Sequence, residues 1–256
     1  MVRPKKHLGQ HFLNDGNIAR KIAGLVSKDQ TRICELGPGT GILTRAILGR
    51  NDPFRLKAVE IDEESVAYLK ENIEDDRLTI LETDFLKTNL RDIYSSPFTL
   101  IGNFPYNISS QIFFKVLEAK DLISEVVCMI QKEVAERIKA SHGNKTYGIL
   151  SVLLQTWFDI HYEFTVNEQV FTPPPKVKSA VIKLTRNSRQ SLPFNEKIYL
   201  NVIKTAFNQR RKTLRNALKS VLPAAAENIP FLDKRAEQLS VEDFIQLTGK
   251  IARTGK

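Results

Sequence analysis

Between residues 32 and 184, short apolar runs alternate with stretches of helical spacing, and this alternation limits the possible folds more than any other feature of the chain. Arg32–Leu36, Leu56–Glu60, Leu78–Leu81, Phe98–Ile101 and Glu125–Ile130 read as five strands. Between them Thr40–Leu48, Glu63–Ile73, Ile108–Leu117 and Gln131–Ala140 carry apolar residues at helical intervals. Strands separated by helices pair in parallel, because a parallel connection needs a long crossover that a hairpin turn cannot supply. Two later runs, Ile160–Phe164 and Ala180–Leu184, flank the proline-rich loop Thr172–Lys176, which leaves no room for a helix. They are expected to pair antiparallel at a sheet edge. The spacing therefore predicts an α/β fold: a Rossmann-like, mostly parallel seven-stranded sheet with an antiparallel edge.

Ser188–Pro193 breaks the pattern and reads as a linker. Beyond it only helical periodicity remains, with Ile198, Val202, Ile203, Ala206 and Phe207 on one face and Leu214, Leu218 and Leu222 on another. Two domains are expected, 1–187 and a small all-helical 188–256. Charge divides at the same place. Residues 186–256 carry 14 Lys and Arg against 6 Asp and Glu, whereas the preceding 185 carry 24 against 23. A near-neutral body with a basic tail points to a polyanionic partner for the tail. Arg211, Arg215 and Lys219 recur every four residues beside the leucine stripe, with Arg210 and Lys212 adjacent, so a single helix is expected to pack one face and offer the next to phosphates.

Several classes are excluded. No apolar run approaches the roughly 18 residues of a membrane span, and no apolar segment follows the basic start Met1–His7, so a cytoplasmic, non-secreted protein is expected. Cys34 and Cys128 sit inside apolar stretches and read as small buried hydrophobes. His7, His11, His142 and His161 lack metal-ligand spacing, so no metal is expected.

The ends of the strands carry the chemistry. Glu35-Leu36-Gly37-Pro38-Gly39-Thr40-Gly41 closes the first strand and opens a helix, where Gly37 and Gly39 let a ligand approach the backbone. An acid at Glu35 opposes a phosphate and favours a cation such as a sulfonium. Glu60 ends the second strand, placed to accept ribose hydroxyls, with Asp62 behind it as a helix N-cap. Asp84 ends the third, placed to accept from an adenine amine. Asn103-Phe104-Pro105-Tyr106 ends the fourth, bringing an amide oxygen, a rigid turn and a flat ring to one place. These four strand ends share one edge of the sheet, where open parallel sheets bind ligands. The set suits a base amine that is flipped out, stacked on Tyr106 and held through its two hydrogens by the Asn103 side-chain oxygen and the Pro105 carbonyl. Phe171 either covers the other face of the base or is an ordinary packing residue.

Six segments, Gly9–Leu13, Glu35–Gly41, Gly102–Ser109, Gln131–Ala135, Phe171–Val177 and Gln209–Arg215, together resemble the small-subunit rRNA adenine N6,N6-dimethyltransferases over about residues 3–222. The resemblance implies a class I S-adenosylmethionine-dependent methyltransferase acting on two adjacent adenines near the 3′ end of 16S rRNA, within a pre-30S or 30S particle. It implies S-adenosylmethionine contacts at His11, Leu13, Gly37, Glu60, Asp84 and Asn103, and a monomer is expected. His11 stands where the family often has Asn, and Phe104 where it usually has Leu. Two alternatives stay open: a resistance methyltransferase of large-subunit rRNA, which shares the glycine loop and the Asn-x-Pro-Tyr turn, and an assembly or transcription factor that keeps the fold as a binding module. The long Phe171–Val177 and Gln209–Arg215 segments favour the small-subunit type.

Overall fold

A computed structural model describes residues 2–223 and 228–254. In chain order the strands are β1 (Phe12–Leu13), β2 (Arg32–Leu36), β3 (Arg55–Glu60), β4 (Leu78–Glu82), β5 (Phe98–Asn103), β6 (Ile123–Gln131), β7 (Phe158–Val166), β8 (Phe171–Thr172) and β9 (Ser179–Arg186). The α-helices are α1 (Gly16–Gly24), α2 (Ile42–Leu48), α3 (Glu63–Asn72), α4 (Leu90–Ile93), α5 (Ser109–Glu118), α6 (Lys132–Lys139), α7 (Ile149–Trp157), α8 (Glu196–Asn208), α9 (Leu214–Ala217) and α10 (Val241–Thr254).

Seven strands form one sheet in the order β4-β3-β2-β5-β6-β9-β7. The pairs β4/β3, β3/β2, β2/β5 and β5/β6 are parallel, and β9 runs antiparallel to β6 with β7 beyond it at the edge. The central strands are buried on both faces, which explains their unbroken apolar runs: β5 begins with five buried residues and β6 holds six in succession. From β2 the chain winds outward through β3 and β4, then returns to β5 on β2's other side. Order therefore reverses between β2 and β5, and the crevice at their carboxyl ends is where such sheets take ligands. A second, two-stranded sheet pairs Phe12 with Thr172 and Leu13 with Phe171, tying the amino-terminal segment to the proline-rich loop.

Near the start of β6, away from that crevice, Glu125 is buried and accepts from the Ser27 backbone at 3.1 Å and from Lys183 Nζ of β9 at 2.8 Å. The lysine also donates to the Leu25 carbonyl at 2.7 Å. Cys34 and Cys128 are free thiols wholly inside the core, where burial pushes both pKa values up.

The chain forms two compact units, 1–135 with 159–186, and 136–158 with 187–256. The second is discontinuous: residues 136–158, placed in the first domain by the sequence reading, group with the carboxyl-terminal helices. Helix α7 buries seven of its nine residues, so it needs neighbours all round. It finds some in α8, where the Tyr199 hydroxyl lies 3.0 Å from that of Thr156. Val202 and Ile203 of α8 and Phe244 and Leu247 of α10 complete this core.

The continuous helix expected through Leu214, Leu218 and Leu222 is absent: α9 ends at Ala217. Backbone bonds from Leu214 N to Lys234 O (2.7 Å) and from Arg215 N to Leu232 O (2.8 Å) bind this stretch to a distant one. Thr213 ahead of it is extended and bridges to Arg235. Leu214 and Leu218 are still fully buried, but Arg211, Arg215 and Lys219 do not lie along one helix.

Candidate active site

A cavity of about 260 Å3 opens at the carboxyl ends of β2, β3 and β5, and His11, Leu13, Gly37, Gly39, Glu60, Asp84, Asn103, Pro105 and Tyr106 all line it. The sheet brings nine residues from five separate segments into one crevice.

The glycine loop forms its base. Gly37 and Gly39 have φ of 65° and 54°, in the left-handed region that costs a non-glycine residue about 1–2 kcal/mol. A Cβ on Gly39 would also come within 2.8 Å of the Phe12 ring, whereas one on Gly37 would meet nothing within 4 Å. Gly39 N donates at 3.0 Å to Glu60, whose other oxygen accepts from the Ile61 and Asp62 backbones, each at 3.0 Å. Glu60 is only 4 % exposed. Burial raises its pKa, and the three backbone donors partly oppose that shift. Its Oε2, with one donor, retains a lone pair for a ligand hydroxyl.

Glu35 is 1 % exposed, and neither carboxyl oxygen has a hydrogen-bond partner among the described residues; nor does the hydroxyl of Thr44 nearby. Burial pushes its pKa up to about 8; the Thr44 hydroxyl and backbone N–H, near the carboxyl but outside hydrogen-bonding geometry, offset part of the shift, and the Glu60 charge adds to it. An orphaned acid in a cavity that also holds Glu60 and Asp84 fits a cationic ligand and disfavours a phosphate. With the open face at Gly37, this meets the requirements of S-adenosylmethionine, which carries a sulfonium, an ammonium and a ribose. Asp84 is half-buried and accepts from Leu86 N at 2.9 Å, with Lys87 at 3.5 Å from its other oxygen.

The Asn103 turn is oriented from the amino-terminal segment. Its Nδ2 donates to the His11 carbonyl at 2.9 Å. A carbonyl only accepts, so the amide can lie only one way round, and Oδ1 is left without a partner among the described residues. The Pro105 carbonyl accepts from Ile108 N at 3.2 Å, so it keeps one lone pair and is not wholly free. The Tyr106 hydroxyl shares a hydrogen bond with that of Ser179, which fixes the ring's tilt. One face of that ring stacks on His11 with centroids 5.4 Å apart at 27°. His11 in turn donates from Nδ1 to the Pro173 carbonyl at 2.7 Å, since that acceptor requires the hydrogen on Nδ1.

Phe171 does not line this cavity. It is 2 % exposed, lies in the core cluster with Leu13, Ile101 and Met129, and therefore acts here as the packing residue of the two alternatives. Asp62 stands at the N-cap of α3 but does not cap it; its carboxylate is held by Lys5 and by Ser65 at 2.7 Å. In the second unit Arg211, Lys212 and Arg215 are exposed. Arg210 is half-buried, 3.8 Å from Glu237 and bonded to the Asn144 carbonyl.

Sequence reasoning missed Ile61, Phe12 and Ser179. Ile61 is half exposed in the cavity wall directly after Glu60, a signal that an apolar residue at a strand end could have given. Ser179 reaches Tyr106 across 73 residues, and no local pattern announces such a pairing.

The chain matches the family model described as ribosomal RNA adenine dimethylase over residues 1–253. It is 55 % identical over 257 residues to the ribosomal RNA small subunit methyltransferase A of Phocaeicola vulgatus, covering 98 % of this chain and 90 % of that one. To its namesake in Cytophaga hutchinsonii it is 54 % identical over 254 residues, covering 98 % of each. A crystal structure of a dimethyladenosine transferase from Plasmodium falciparum superposes with a TM-score of 0.82 at 26 % identity, over 96 % of this chain and 98 % of that one. The 23S rRNA methyltransferase ErmE shares the fold, with a TM-score of 0.72 at 23 % identity over 96 % and 100 % of the two chains. The match to the family model and the identity along almost the whole length agree with the crevice geometry: the chain belongs to the ribosomal RNA adenine dimethylase family.

Proposed function

We propose that this protein transfers methyl groups from S-adenosylmethionine to N6 of two adjacent adenines near the 3′ end of small-subunit rRNA, giving N6,N6-dimethyladenosine. It acts in the cytoplasm, as a monomer, on a pre-30S or 30S particle, and so takes part in small-subunit biogenesis. The observation that carries this reading is the Asn103 amide, turned by the His11 carbonyl so that its oxygen is unpartnered among the described residues, in a cavity shared with the acidic cradle.

S-adenosylmethionine, when bound, supplies an electrophilic methyl group on a positively charged sulfur. Gly37, Gly39, Glu60 and Asp84 would hold it, together with His11 and Leu13, which line the same cavity. The adenine amine is a poor nucleophile because its lone pair is delocalised into the ring. Asn103 Oδ1 and the remaining lone pair of the Pro105 carbonyl accept its two hydrogens. Nitrogen held in this way is drawn towards a pyramidal geometry with the lone pair localised. This is positioning and electrostatic preorganisation rather than general-base catalysis: as the N–CH3 bond forms and the S–CH3 bond breaks, the sulfur leaves as a neutral thioether and the methylated aminium gives its proton to water. Tyr106, braced by Ser179, stacks on the flipped-out base. In the second unit the exposed Arg211, Lys212 and Arg215 meet rRNA phosphates, with Arg210 behind them.

Replacing Asn103 with Ala tests the assignment. With labelled cofactor and undermethylated small subunits, the variant should lose about 100-fold or more in kcat, the scale of a removed preorganised hydrogen-bonding group, while its unfolding curve barely moves. Unchanged turnover would exclude the role, and mapping of the label separates this target from large-subunit rRNA.

A further inference from the structure

Beside the cofactor cavity lies a second one of about 470 Å3, within the range of ligand pockets. It is bounded by Pro4, Lys6 and Gln10 of the amino-terminal segment, by Gln131 at the end of β6, and by the loop from Pro173 to Val177. Gly9, Gln10, His11 and Tyr106 line both cavities, and the stacked His11 and Tyr106 rings are part of this shared wall.

The two cavities have opposite charge. Glu35, Glu60 and Asp84 line the first, whereas the second has Lys6 and Lys176 and no acid at all in its lining. Both lysines are exposed, and neither makes an ion pair among the described residues. Large hydrophobic side chains are exposed at two described positions, one in each cavity: Ile61 in the first and Val177, 46 % exposed, in the second. Unpaired cations around an apolar platform of Val177 and proline rings match an anionic group attached to a flat apolar body. Lysine positions a phosphate, and a base stacks on an apolar face with little regard for its identity.

We propose that this second cavity seats the nucleotide adjoining the target adenosine, its phosphate on Lys6 and Lys176 and its base against Val177 and the proline walls. Gln131 offers an amide to that base's edge. The protein then grips two consecutive nucleotides, one on each side of the shared wall. The inference rests on the rRNA-adenine reading above and refines how that site holds its substrate.

The test combines the double variant Lys176→Gln/Val177→Ser with small subunits reconstituted from rRNA lacking the base on one or the other side of the target. Cofactor affinity of the variant should match that of the wild type, which controls for folding. On intact particles kcat/KM should fall about tenfold, the scale of one stacked base with one phosphate contact. On particles missing the neighbouring base on the correct side, the wild type should already lose about tenfold and the variant no more than about twofold further. Two results would overturn the inference: indifference of the wild type to a missing base on either side, or penalties that simply multiply, as they would if the cavity held a protein segment instead. Failure of the methyl-transfer reading would look different, with no label on intact particles even from the wild type.

Discussion

Glu35 should make the protein lose stability as pH rises from the acid range to about 8. Its carboxyl is buried without a hydrogen-bond partner among the described residues, and its pKa rises from an ordinary 4.5 to about 8. An acid with a raised folded-state pKa binds its proton more tightly in the folded chain than in the unfolded one. Its contribution is therefore fully present below pH 4.5 and is lost as pH climbs through about 8. The loss accrues at about 1.4 kcal/mol per pH unit across that window, which bounds the total at roughly 5 kcal/mol. Relaxation and water penetration will reduce this, so a difference of about 2–4 kcal/mol is expected. The Glu35→Gln variant keeps the shape and cannot ionise. Urea unfolding of both proteins at pH 5, 6, 7 and 8 should show the variant gaining on the wild type at each step, with the gap closing towards pH 5. Parallel profiles would refute the assignment. A cationic ligand should reverse the wild type's preference by drawing Glu35 into its charged form. Binding of S-adenosylmethionine at pH 7 should then release close to one proton, seen as a dependence of the calorimetric heat on buffer ionisation enthalpy, and the variant should release none.

Three further outcomes follow from the geometry. Gly39→Ala, which imposes a left-handed φ of 54° on a residue with a Cβ and drives that Cβ against Phe12, should cost about 1–2 kcal/mol in urea unfolding from the backbone alone and weaken cofactor binding, measured by calorimetry. Lys183→Met strands the buried Glu125 carboxylate and should destabilise by about 3–5 kcal/mol, with Glu125→Gln in the same chain recovering part of the loss; additive losses would contradict the pairing. Arg211→Gln/Arg215→Gln should lower the log-log salt slope of rRNA binding by about 1.5–2, and an unaltered slope would assign these arginines to solubility alone.

The seven strands and the residues gathered at their ends were legible in sequence because both are local. Central parallel strands are continuous apolar runs, and a ligand edge repeats one grammar: strand, then glycine, acid or Asn-x-Pro-Tyr. Helix α1 was legible too, since Asp15 caps it through the Asn17 and Ile18 backbones ahead of the buried Ala19 and Ile22, yet it lies outside the alternation on which the reading was built. Other features depend on the whole fold. Nothing in the composition of α7 marks it as belonging with helices that follow forty residues later. The leucines at 214, 218 and 222 have perfect helical spacing, but backbone bonds to 232 and 234 override it after one turn. Phe171 and Tyr106 are both aromatics beside turns. Pairing with Leu13 sends one into the core, and Ser179 holds the other at the crevice.

Because the direction of the Asn103 amide is set by a carbonyl 92 positions earlier, the segment that carries His11 becomes, on the function proposed above, a remote part of the reaction centre although it brings no reactive group of its own. Trimming the chain back to Leu13 would leave all seven strands of the main sheet in the chain and let the amide swivel. A preparation that melts normally but transfers nothing should therefore be inspected first at its leading end, and fusion tags belong at the other terminus.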